Sequence, residues 1–308
     1  GVFRFSMLPE GMVFIQRDWL SSNSLLLHND RSSALIDTGY ETHAPLLAEL
    51  MRHHLSEQPL DEILNTHLHS DHCGGNALLQ KLYPSAQIAV PSFSLETSLD
   101  WNEDSLTFLT TGQSCPRFQP HRGISPGDTL ELAGFHWQAH HAPGHDNQSL
   151  IFFESNHRLL VSADALWENG LAVVFPAFLG GPGFEAVSQT LDEIEKLQPN
   201  WVLPGHGRMF QNAANAIALA RARLKVFDKH PEKHAWYAAK VMVKFKLMAE
   251  HSMAWTVFFH WAQKASLLSL IHNLYFEQRP WDDWLDSICQ ELIDRKAIER
   301  REGCMFNV

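Results

Sequence analysis

Cysteine is scarce and long hydrophobic runs are absent, and each of these facts excludes a class of protein. Four of the 308 residues are cysteines, at positions 73, 115, 289 and 304, and no two form a C-x-x-C pair. Four scattered cysteines are too few for a disulfide scaffold, so we expect a reducing, cytoplasmic setting. No run of about 18 apolar residues occurs and the first residues lack a secretory pattern, so we expect no membrane span or targeting segment.

Basic residues are few relative to acidic ones. The chain has 24 Lys and Arg against 35 Asp and Glu, a net charge of −11 with histidine neutral. This balance disfavours nucleic acid and anionic membranes as partners, because both attract positive charge. The length of 308 residues is enough for one large domain or two of roughly 150 residues each, and the hydrophobic fraction of 45% is enough for a core. Histidine, the most common metal ligand, occurs 19 times.

Strand and helix patterns alternate through the first two-thirds of the chain. Short apolar runs between turn residues predict one strand ending near residue 67 and others over 12–15, 25–27, 34–36, 87–90, 129–132, 135–141, 149–153, 158–162 and 201–203. Apolar residues at helical spacing predict helices over 43–55, 76–82, 184–197 and 211–227. The stretch 91–127 is interpreted as a partly helical insertion. This order predicts an α/β protein whose mixed sheets are covered by helices.

The chain becomes mainly helical after Pro231. The charged segment 228–231 indicates a boundary, so we predict a catalytic domain over 1–228 and a helical C-terminal domain over 229–308. Helices followed by an extended segment resemble a winged-helix module, for which the acidic charge favours a packing role over DNA binding. Aromatic residues of this region fit a helical core, the preferred interpretation, or a homodimer interface: Trp236, Trp255, Phe258, Phe259 and Trp261.

The strongest chemical signal is the segment THLHSDHCGG at 66–75, which follows an apolar run. Side chains alternate along an extended segment, so His67 and His69 are expected to point the same way. The chain then turns, so that Asp71 and His72 project from the start of the next helix. This arrangement offers two nitrogen ligands to one metal ion and a nitrogen–oxygen pair to a second. Zinc, iron and manganese all accept such ligands.

Three further segments each place one ligand-type residue at the end of a predicted strand. His145 follows a Pro-Gly turn, Asp164 ends an apolar strand, and His206 lies between two glycines. Alone, each has an ordinary explanation, such as a solvated turn histidine or a capping carboxylate. Together they are more informative, because loops at one edge of the sheets are where α/β proteins assemble their sites.

These segments, in this order, resemble the metallo-β-lactamase superfamily of hydrolases, and the likeness covers residues 12–207. The segment LIDTG at 35–39 is also similar to an early strand–turn signature of the family, and Ala163 stands where the family often has glycine. The resemblance implies an αββα sandwich that carries two metal ions. It also implies their ligands: His67, His69 and His145 for the first ion, Asp71, His72 and His206 for the second, and Asp164 as the bridge.

Within the superfamily the chain is most similar to glyoxalase II-like members with an extra helical C-terminal region. The resemblance implies a metal-dependent hydrolase in which a hydroxide bridging two divalent cations attacks a small ester, thioester or lactone. Zinc is the expected metal, with iron or manganese as alternatives. Asp71 would orient the nucleophile as well as bind metal, whereas Cys73 is expected to pack beneath the loop. The expected partner is a small-molecule substrate.

Two other functions are open on the same fold. One is an oxidoreductase that uses a single iron ion for sulfur oxidation, and the other is a nucleic-acid phosphodiesterase that uses the C-terminal module. The acidic charge and the lack of a basic run disfavour the second. The insertion at 91–127 and the aromatic, glycine-rich segment 167–184 are expected to shape the substrate pocket, the alternative being an ordinary hydrophobic connection.

Overall fold

Two β-sheets lie face to face in a computed structural model that describes residues 7–308. In this range the first sheet contains six strands, arranged in chain order: β1 (Met12–Ile15), β2 (Ser24–His28), β3 (Ser33–Ile36), β4 (Glu62–Leu64), β5 (Gln87–Pro91) and β6 (Arg122–Ile124). The strands from β1 to β3 are antiparallel, and those from β3 to β6 are parallel. The first six residues of the predicted catalytic domain, and the targeting prediction made on them, lie outside the described part.

The second sheet follows along the chain. Over residues 129–204 it contains five strands, again arranged in chain order: β7 (Thr129–Leu132), β8 (Phe135–His141), β9 (Leu150–Glu154), β10 (Leu159–Ala163) and β11 (Trp201–Pro204). The strands from β7 to β10 are antiparallel, and β11 pairs parallel with β10. A parallel pair needs a crossover connection, which a helix between these two strands provides.

Helices cover the outer faces of both sheets. Those between residues 7 and 229 are α1 (Ala44–Leu55), α2 (Ser70–Cys73), α3 (Asn76–Leu82), α4 (Leu95–Asp100), α5 (Phe108–Thr111), α6 (Phe184–Leu197) and α7 (Ala213–Lys229). Residues of α1 and α3 pack on the first sheet, and residues of α6 and α7 pack on the second. Within residues 7–308, no helix combines the length and the apolar character needed to cross a bilayer.

The strands bury both of their faces. In β2, Leu25 and Leu27 belong to the core between the sheets, while Leu26 packs towards α1 on the outer side. In β9, Phe152 faces the core between the sheets and Phe153 packs towards α6 and α7. Successive side chains of a strand point to opposite faces, so a strand covered on both sides reads as one continuous apolar run. The predicted αββα sandwich is confirmed.

The chain after residue 230 forms helices and a small sheet around a core of its own. These elements are α8 (Pro231–Glu250), β12 (Ser252–Ala254), α9 (Trp255–Lys264), α10 (Ser266–Tyr275), α11 (Trp281–Asp294), β13 (Ile298–Arg301) and β14 (Cys304–Asn307). Phe258 is fully buried in this core, and the other four aromatic residues singled out above pack against it partly buried. Val173 and Phe178 join the same core, so the C-terminal region packs onto the loop after β10.

The predicted division after residue 228 falls near the junction of two helices. Helix α7 ends at Lys229, and α8 begins at Pro231. The expected order of helices followed by a hairpin is present, since antiparallel β13 and β14 follow α11 and β12 pairs with β14. The winged-helix likeness and the two-domain division stay predictions.

The strand predicted to end near His67 ends at Leu64 instead. Beyond it, the N–H of Thr66 donates to Oδ1 of Asp37 at 2.9 Å, and the carbonyl of Thr66 accepts from Leu150 in the other sheet at 2.8 Å. His67 therefore lies in a loop beyond the strand, and His67 and His69 still direct their rings to the same ligand group, as expected. Strands β6 and β12 were also missed, because neither three-residue strand contains an apolar run that would mark it.

Candidate metal centre

All seven sequence-predicted ligand residues converge at one edge of the two sheets. Four come from the loop and the single-turn helix α2 that follow β4, and the other three follow β8, β10 and β11. Their ligand atoms form two groups, and within each group all atoms lie within 4.8 Å of one another. The first group contains His67, His69 and His145, and the second contains Asp71, His72, Asp164 and His206.

Asp164 lies between the two groups. Its Oδ2 atom is 3.1 Å from Nε2 of His72 in its own group and 3.3 Å from Nε2 of His145 in the other. Its Oδ1 atom is 3.8 Å from Nε2 of His206. One buried carboxylate therefore reaches both sets of imidazoles, which is the position that a bridging ligand requires.

The nitrogen atoms of the first group fit a cation. Nε2 of the fully buried His67 has no hydrogen-bond partner among the described residues. His69 directs Nε2 at the Asp146 carboxylate, 3.3 Å away, and His145 directs Nδ1 at the Val173 carbonyl, 2.6 Å away. Nδ1 of His69 and Nε2 of His145 lie 2.9 Å apart, and Nε2 of His145 is also 3.3 Å from Oδ2 of Asp164. Three imidazoles with their nitrogen atoms this close together are a donor set that suits a divalent cation.

Burial and charge set the protonation of these residues. Burial and the neighbouring imidazoles lower the pKa of His67 well below its ordinary value and that of His69 to about 4, although nearby carboxylates act in the opposite direction. Neutral imidazole is the form that binds metal. Burial also opposes charge on His72, but Asp164 and Asp71 outweigh it and raise the pKa of His72 well above its ordinary value. The same attraction holds the pKa of the Asp164 carboxyl well below its usual range despite burial, so this carboxylate is ionised.

Asp37 joins the centre although the sequence predicts no role for it. Its Oδ2 atom is 2.8 Å from Nδ1 of His72 and accepts from the Thr66 hydroxyl at 2.7 Å. A carboxylate only accepts, so Nδ1 of His72 carries the proton and Nε2 is left to face the centre. A carboxylate behind a histidine ligand commonly fixes its tautomer and orientation. The LIDTG segment was the available signal, since Asp37 lies within it.

Two backbone positions show why small residues flank the centre. A Cβ atom on Gly205 would lie 2.4 Å from Oδ1 of Asp164 and 2.9 Å from Cε1 of His72, so a side chain at this position would displace the carboxylate. Ala163 has a φ of 48°, in the left-handed region that favours glycine. This conformation gives a physical reason for the glycine that the family often has at this position.

Aromatic side chains border the centre. Trp19 is half exposed and stacks on the imidazole of His206, with ring centroids 5.3 Å apart and ring planes 9° apart. Nε1 of Trp167 donates to Oδ1 of Asp164 at 3.2 Å. Phe175 contacts two histidines of the first group through the edges of their rings. Trp19 was missed because an isolated aromatic residue in a turn gives no sequence signal of its own.

Cys73 is buried beneath the ligand-bearing loop, as predicted. Its Sγ atom donates to the His69 carbonyl at 3.3 Å and lies 3.7 Å from Sγ of Cys115. Both cysteines belong to the apolar core outside the first sheet. Burial raises the pKa of the Cys73 thiol well above its ordinary value. A protonated, enclosed thiol is a poor nucleophile, which supports the packing role.

A cavity of about 950 Å³ extends from the centre. Both segments expected to shape a pocket contribute to its wall: Thr107, Thr111 and Gln113 come from the insertion, and several residues between Trp167 and Phe175 come from the second segment. Helices α7, α8 and α11 form a wall that the sequence did not predict. The lining positions of α8 are 237, 240, 241, 244, 245 and 248, a spacing of three and four that defines one helix face.

Four cationic side chains lie on this helical wall: Arg223, Lys240, Lys244 and Arg295. Glu291 pairs with Lys240 at 2.6 Å and with Arg295 at 2.9 Å. Lys244 donates to oxygen atoms near the end of the chain. Arg223 forms no ion pair with the described residues, and its guanidinium carbon lies 4.9 Å from the centroid of the Phe227 ring. Because these residues come from three helices, no basic run is visible in the sequence.

The sequence model of the metallo-beta-lactamase superfamily matches residues 17–206, which include all seven ligand-type residues. The chain belongs to the metallo-beta-lactamase superfamily. It is a hydrolase of that fold, as predicted.

Curated relatives from this superfamily include two named enzymes. The acyl-coenzyme A thioesterase MBLAC2 of Homo sapiens is 24% identical over 247 residues, which cover 69% of this chain and 86% of that protein. A hydroxyacylglutathione hydrolase of Xanthomonas campestris pv. campestris is 26% identical over 230 residues, which cover 73% of this chain and 76% of that enzyme. The predicted glyoxalase II-like resemblance is confirmed by the second relative.

Solved structures of the superfamily share the fold. A metallo-beta-lactamase family protein of Thermus thermophilus superposes with a TM-score of 0.56 at 18% identity, covering 98% of this chain and all of that one. The BLEG-1 B3 metallo-beta-lactamase superposes with a TM-score of 0.57 at 18% identity, covering 69% of this chain and 99% of that one. The first likeness extends through the helical C-terminal region, whereas the second covers a smaller share of this chain.

Proposed function

We propose that this enzyme is a metal-dependent thioester hydrolase. The observation that carries the proposal is that two ligand groups, joined by Asp164, open into a cavity of about 950 Å³ with a largely apolar wall. The ligand chemistry suits hydrolysis of an ester, a thioester or a lactone. Two relatives are named an acyl-coenzyme A thioesterase and a hydroxyacylglutathione hydrolase, which supports a thioester among these three.

Two divalent cations would be held at the centre, with zinc as the proposed metal and iron or manganese as alternatives. When bound, they supply an acidified water molecule as nucleophile and a Lewis acid for the substrate carbonyl. The first group would hold one cation and the second group the other, with Asp164 shared between them. The residues are those predicted: His67, His69, His145, Asp71, His72, Asp164 and His206.

Asp71 is the proposed catalytic residue. Its carboxylate borders the cavity and has Oδ2 2.9 Å from Nε2 of His206. Burial opposes its charge, but His72 and His206 outweigh burial and lower the pKa of Asp71. The Asp71 carboxylate is therefore ionised and can accept a hydrogen bond from the nucleophilic water. This hydrogen bond would keep the proton of the water directed away from the substrate carbonyl. Trp19 and Phe175 line the same cavity.

The cationic side chains of the helical wall favour a substrate with an anionic thiol-bearing portion. Arg223 faces the cavity without an ion-pair partner among the described residues, in a chain whose net charge is −11. A free guanidinium in an acidic protein attracts carboxylate or phosphate groups and binds them through paired N–H donors. We propose that this wall receives the thiol-bearing portion of a small-molecule substrate in a reducing, cytoplasmic setting.

A substrate panel with defined metal content tests the proposal. Full-length protein is stripped with a chelator, reloaded with zinc to two equivalents, and assayed on coenzyme A thioesters, glutathione thioesters, oxygen esters and lactones. We expect thioester hydrolysis that is lost on stripping and restored by zinc. Asp164→Asn should abolish this activity and lower the metal content, whereas His54→Ala, on a helix away from the cavity, should change neither.

Two results would overturn the proposal. Protein with two equivalents of zinc that hydrolyses none of the thioesters would exclude the activity. A single bound iron after purification, with oxygen consumption on a persulfide, would instead support the sulfur oxidoreductase. The same metal analysis therefore separates the two functions.

A further inference from the structure

The segment Leu171–Val174, which follows β10, is held at both ends by helix α8. The N–H of Val174 donates to Nε2 of His234 at 2.9 Å. Three residues earlier, the carbonyl of Leu171 accepts from the hydroxyl of Tyr237 at 2.9 Å. His234 and Tyr237 are three positions apart on α8, so they project from the same face of the helix.

Between these two contacts the same segment supports a ligand-type histidine. The carbonyl of Val173 accepts from Nδ1 of His145 at 2.6 Å, which leaves Nε2 of His145 to face the centre. The carbonyl of Val173 and the N–H of Val174 belong to one peptide unit. This unit therefore accepts from His145 through its carbonyl and donates to His234 through its N–H. Moving that peptide would turn or release the imidazole.

The surroundings of His234 suit an acceptor held in one orientation. The side chain is 1% exposed, and its ring stacks on Phe178 with centroids 4.8 Å apart and planes 4° apart. Phe184 and Phe227 contact the same ring. Burial lowers the pKa of His234 to about 4, so the imidazole is neutral and its Nε2 lone pair is available to the peptide.

We propose that His234 and Tyr237 are positioning residues for His145, so that the C-terminal region completes the metal centre although it supplies no ligand. The two side chains fix the segment Leu171–Val174, and the Val173 carbonyl fixes the tautomer and the aim of the imidazole. This inference rests on the proposed metal-binding role of His145 and is independent of the substrate.

Metal dissociation measures the effect directly. Wild-type, His234→Phe, His234→Gln and Tyr237→Phe proteins, all full length, are loaded with zinc, and its release to a colorimetric chelator is followed. His234→Phe keeps a flat ring against Phe178 but removes the acceptor, and we expect release about tenfold faster. His234→Gln retains an acceptor for the Val174 N–H and should restore most of the wild-type rate. Tyr237→Phe removes one hydroxyl and should accelerate release by a smaller factor.

A second histidine of the same region provides the matched control. His272 on α10 is buried, donates from Nε2 to the carbonyl of Arg279 at 2.7 Å, and packs on Trp284. His272→Phe should lower the melting temperature without changing zinc release. The visible spectrum of the cobalt-substituted protein gives an independent readout, because altered ligand orientation should shift its bands in His234→Phe and Tyr237→Phe, but not in His272→Phe.

The possible outcomes separate this inference from the proposed function. Unchanged zinc release in both His234→Phe and Tyr237→Phe would overturn the positioning role while leaving the metal centre intact. Wild-type protein that binds no zinc or cobalt would overturn the proposed metal centre itself. If His234→Phe does not fold, Tyr237→Phe decides: release at the wild-type rate contradicts the inference, and faster release at an unchanged melting temperature supports it.

Discussion

The carboxylate of Asp37 lies 2.8 Å behind the imidazole of His72, and both side chains are buried. Every contact that Asp37 makes here is with a donor: Nδ1 of His72, and the hydroxyl and N–H of Thr66. A full carboxylate is required, because an amide offers one acceptor oxygen and turns an NH₂ group towards the remaining donors. Asp37 therefore orients the ligand-type residue His72 from the side of the ring that faces away from the centre.

Asp37→Asn should lower metal affinity by about 10–100-fold, since it breaks the outer contact of a histidine ligand. The backbone tolerates this change, because Asp37 has a φ of 62° and asparagine is well suited to left-handed conformations. Zinc affinity is measured by competition with a chelator. Asp61→Asn, at a carboxylate beside the start of β4, is the control. Equal affinities in wild type and Asp37→Asn would contradict the assigned role.

Arg223→Gln should raise KM for a coenzyme A thioester by about tenfold, because an ionic hydrogen bond contributes about 1.5 kcal/mol. The neutral N-acetylcysteamine thioester of the same acyl group should show an unchanged KM. Lys225→Gln, on the same helix but away from the cavity wall, should affect neither substrate. Equal increases for both thioesters would indicate a general packing defect and exclude charge recognition.

His234 should make the protein sensitive to acid in a defined range. Its pKa is about 4 in the folded chain and near 6.5 when unfolded, so between these values only the unfolded chain takes up the proton. The free energy of unfolding should therefore be unaffected by this residue above pH 6.5. It should fall as the pH drops towards 4, by up to about 3 kcal/mol. Urea denaturation at several pH values checks this. In His234→Gln the free energy of unfolding should fall less between pH 6.5 and 4 than in the wild type. An equal fall in both proteins would contradict this role of His234.

Cys73→Ala should leave kcat within about twofold of wild type while lowering the free energy of unfolding by about 1 kcal/mol, because a buried sulfur atom is lost. Steady-state kinetics and urea denaturation measure the two effects separately. Cys115→Ala, the neighbouring thiol, should behave in the same way. A large loss of kcat in Cys73→Ala with full metal content would show that the thiol takes part in the chemistry.

The convergence of the seven ligand-type residues could be predicted from sequence because order along the chain, strand ends and glycine turns all mark them. The end of the strand before His67 could not be predicted in the same way. A strand ending near His67 was expected, whereas the Thr66 N–H donates to the Asp37 carboxylate and the strand ends at Leu64. A side chain 29 positions away decided the local backbone, and single-segment patterns carry no information about such contacts.

The cavity wall and the contacts to His145 could not be predicted for the same reason. Tyr237 and Lys240 show a helical spacing, but that spacing is equally typical of a core face or a solvated face. Their role depends on the packing of α8 against the loop after β10, a relationship between residues at least 60 positions apart. Trp19 likewise gains significance only because the fold places it over His206.

Successive turns of α8 have different roles in the site. Its first turns, at His234 and Tyr237, form the hydrogen bonds to the backbone that supports His145, whereas its later turns, at Val241, Phe245 and Met248, line the cavity and form neither of these bonds. Substrate preference can therefore diverge through the later turns while the chemistry is unchanged. A library restricted to these three positions is the natural starting point for redirecting the enzyme to new substrates.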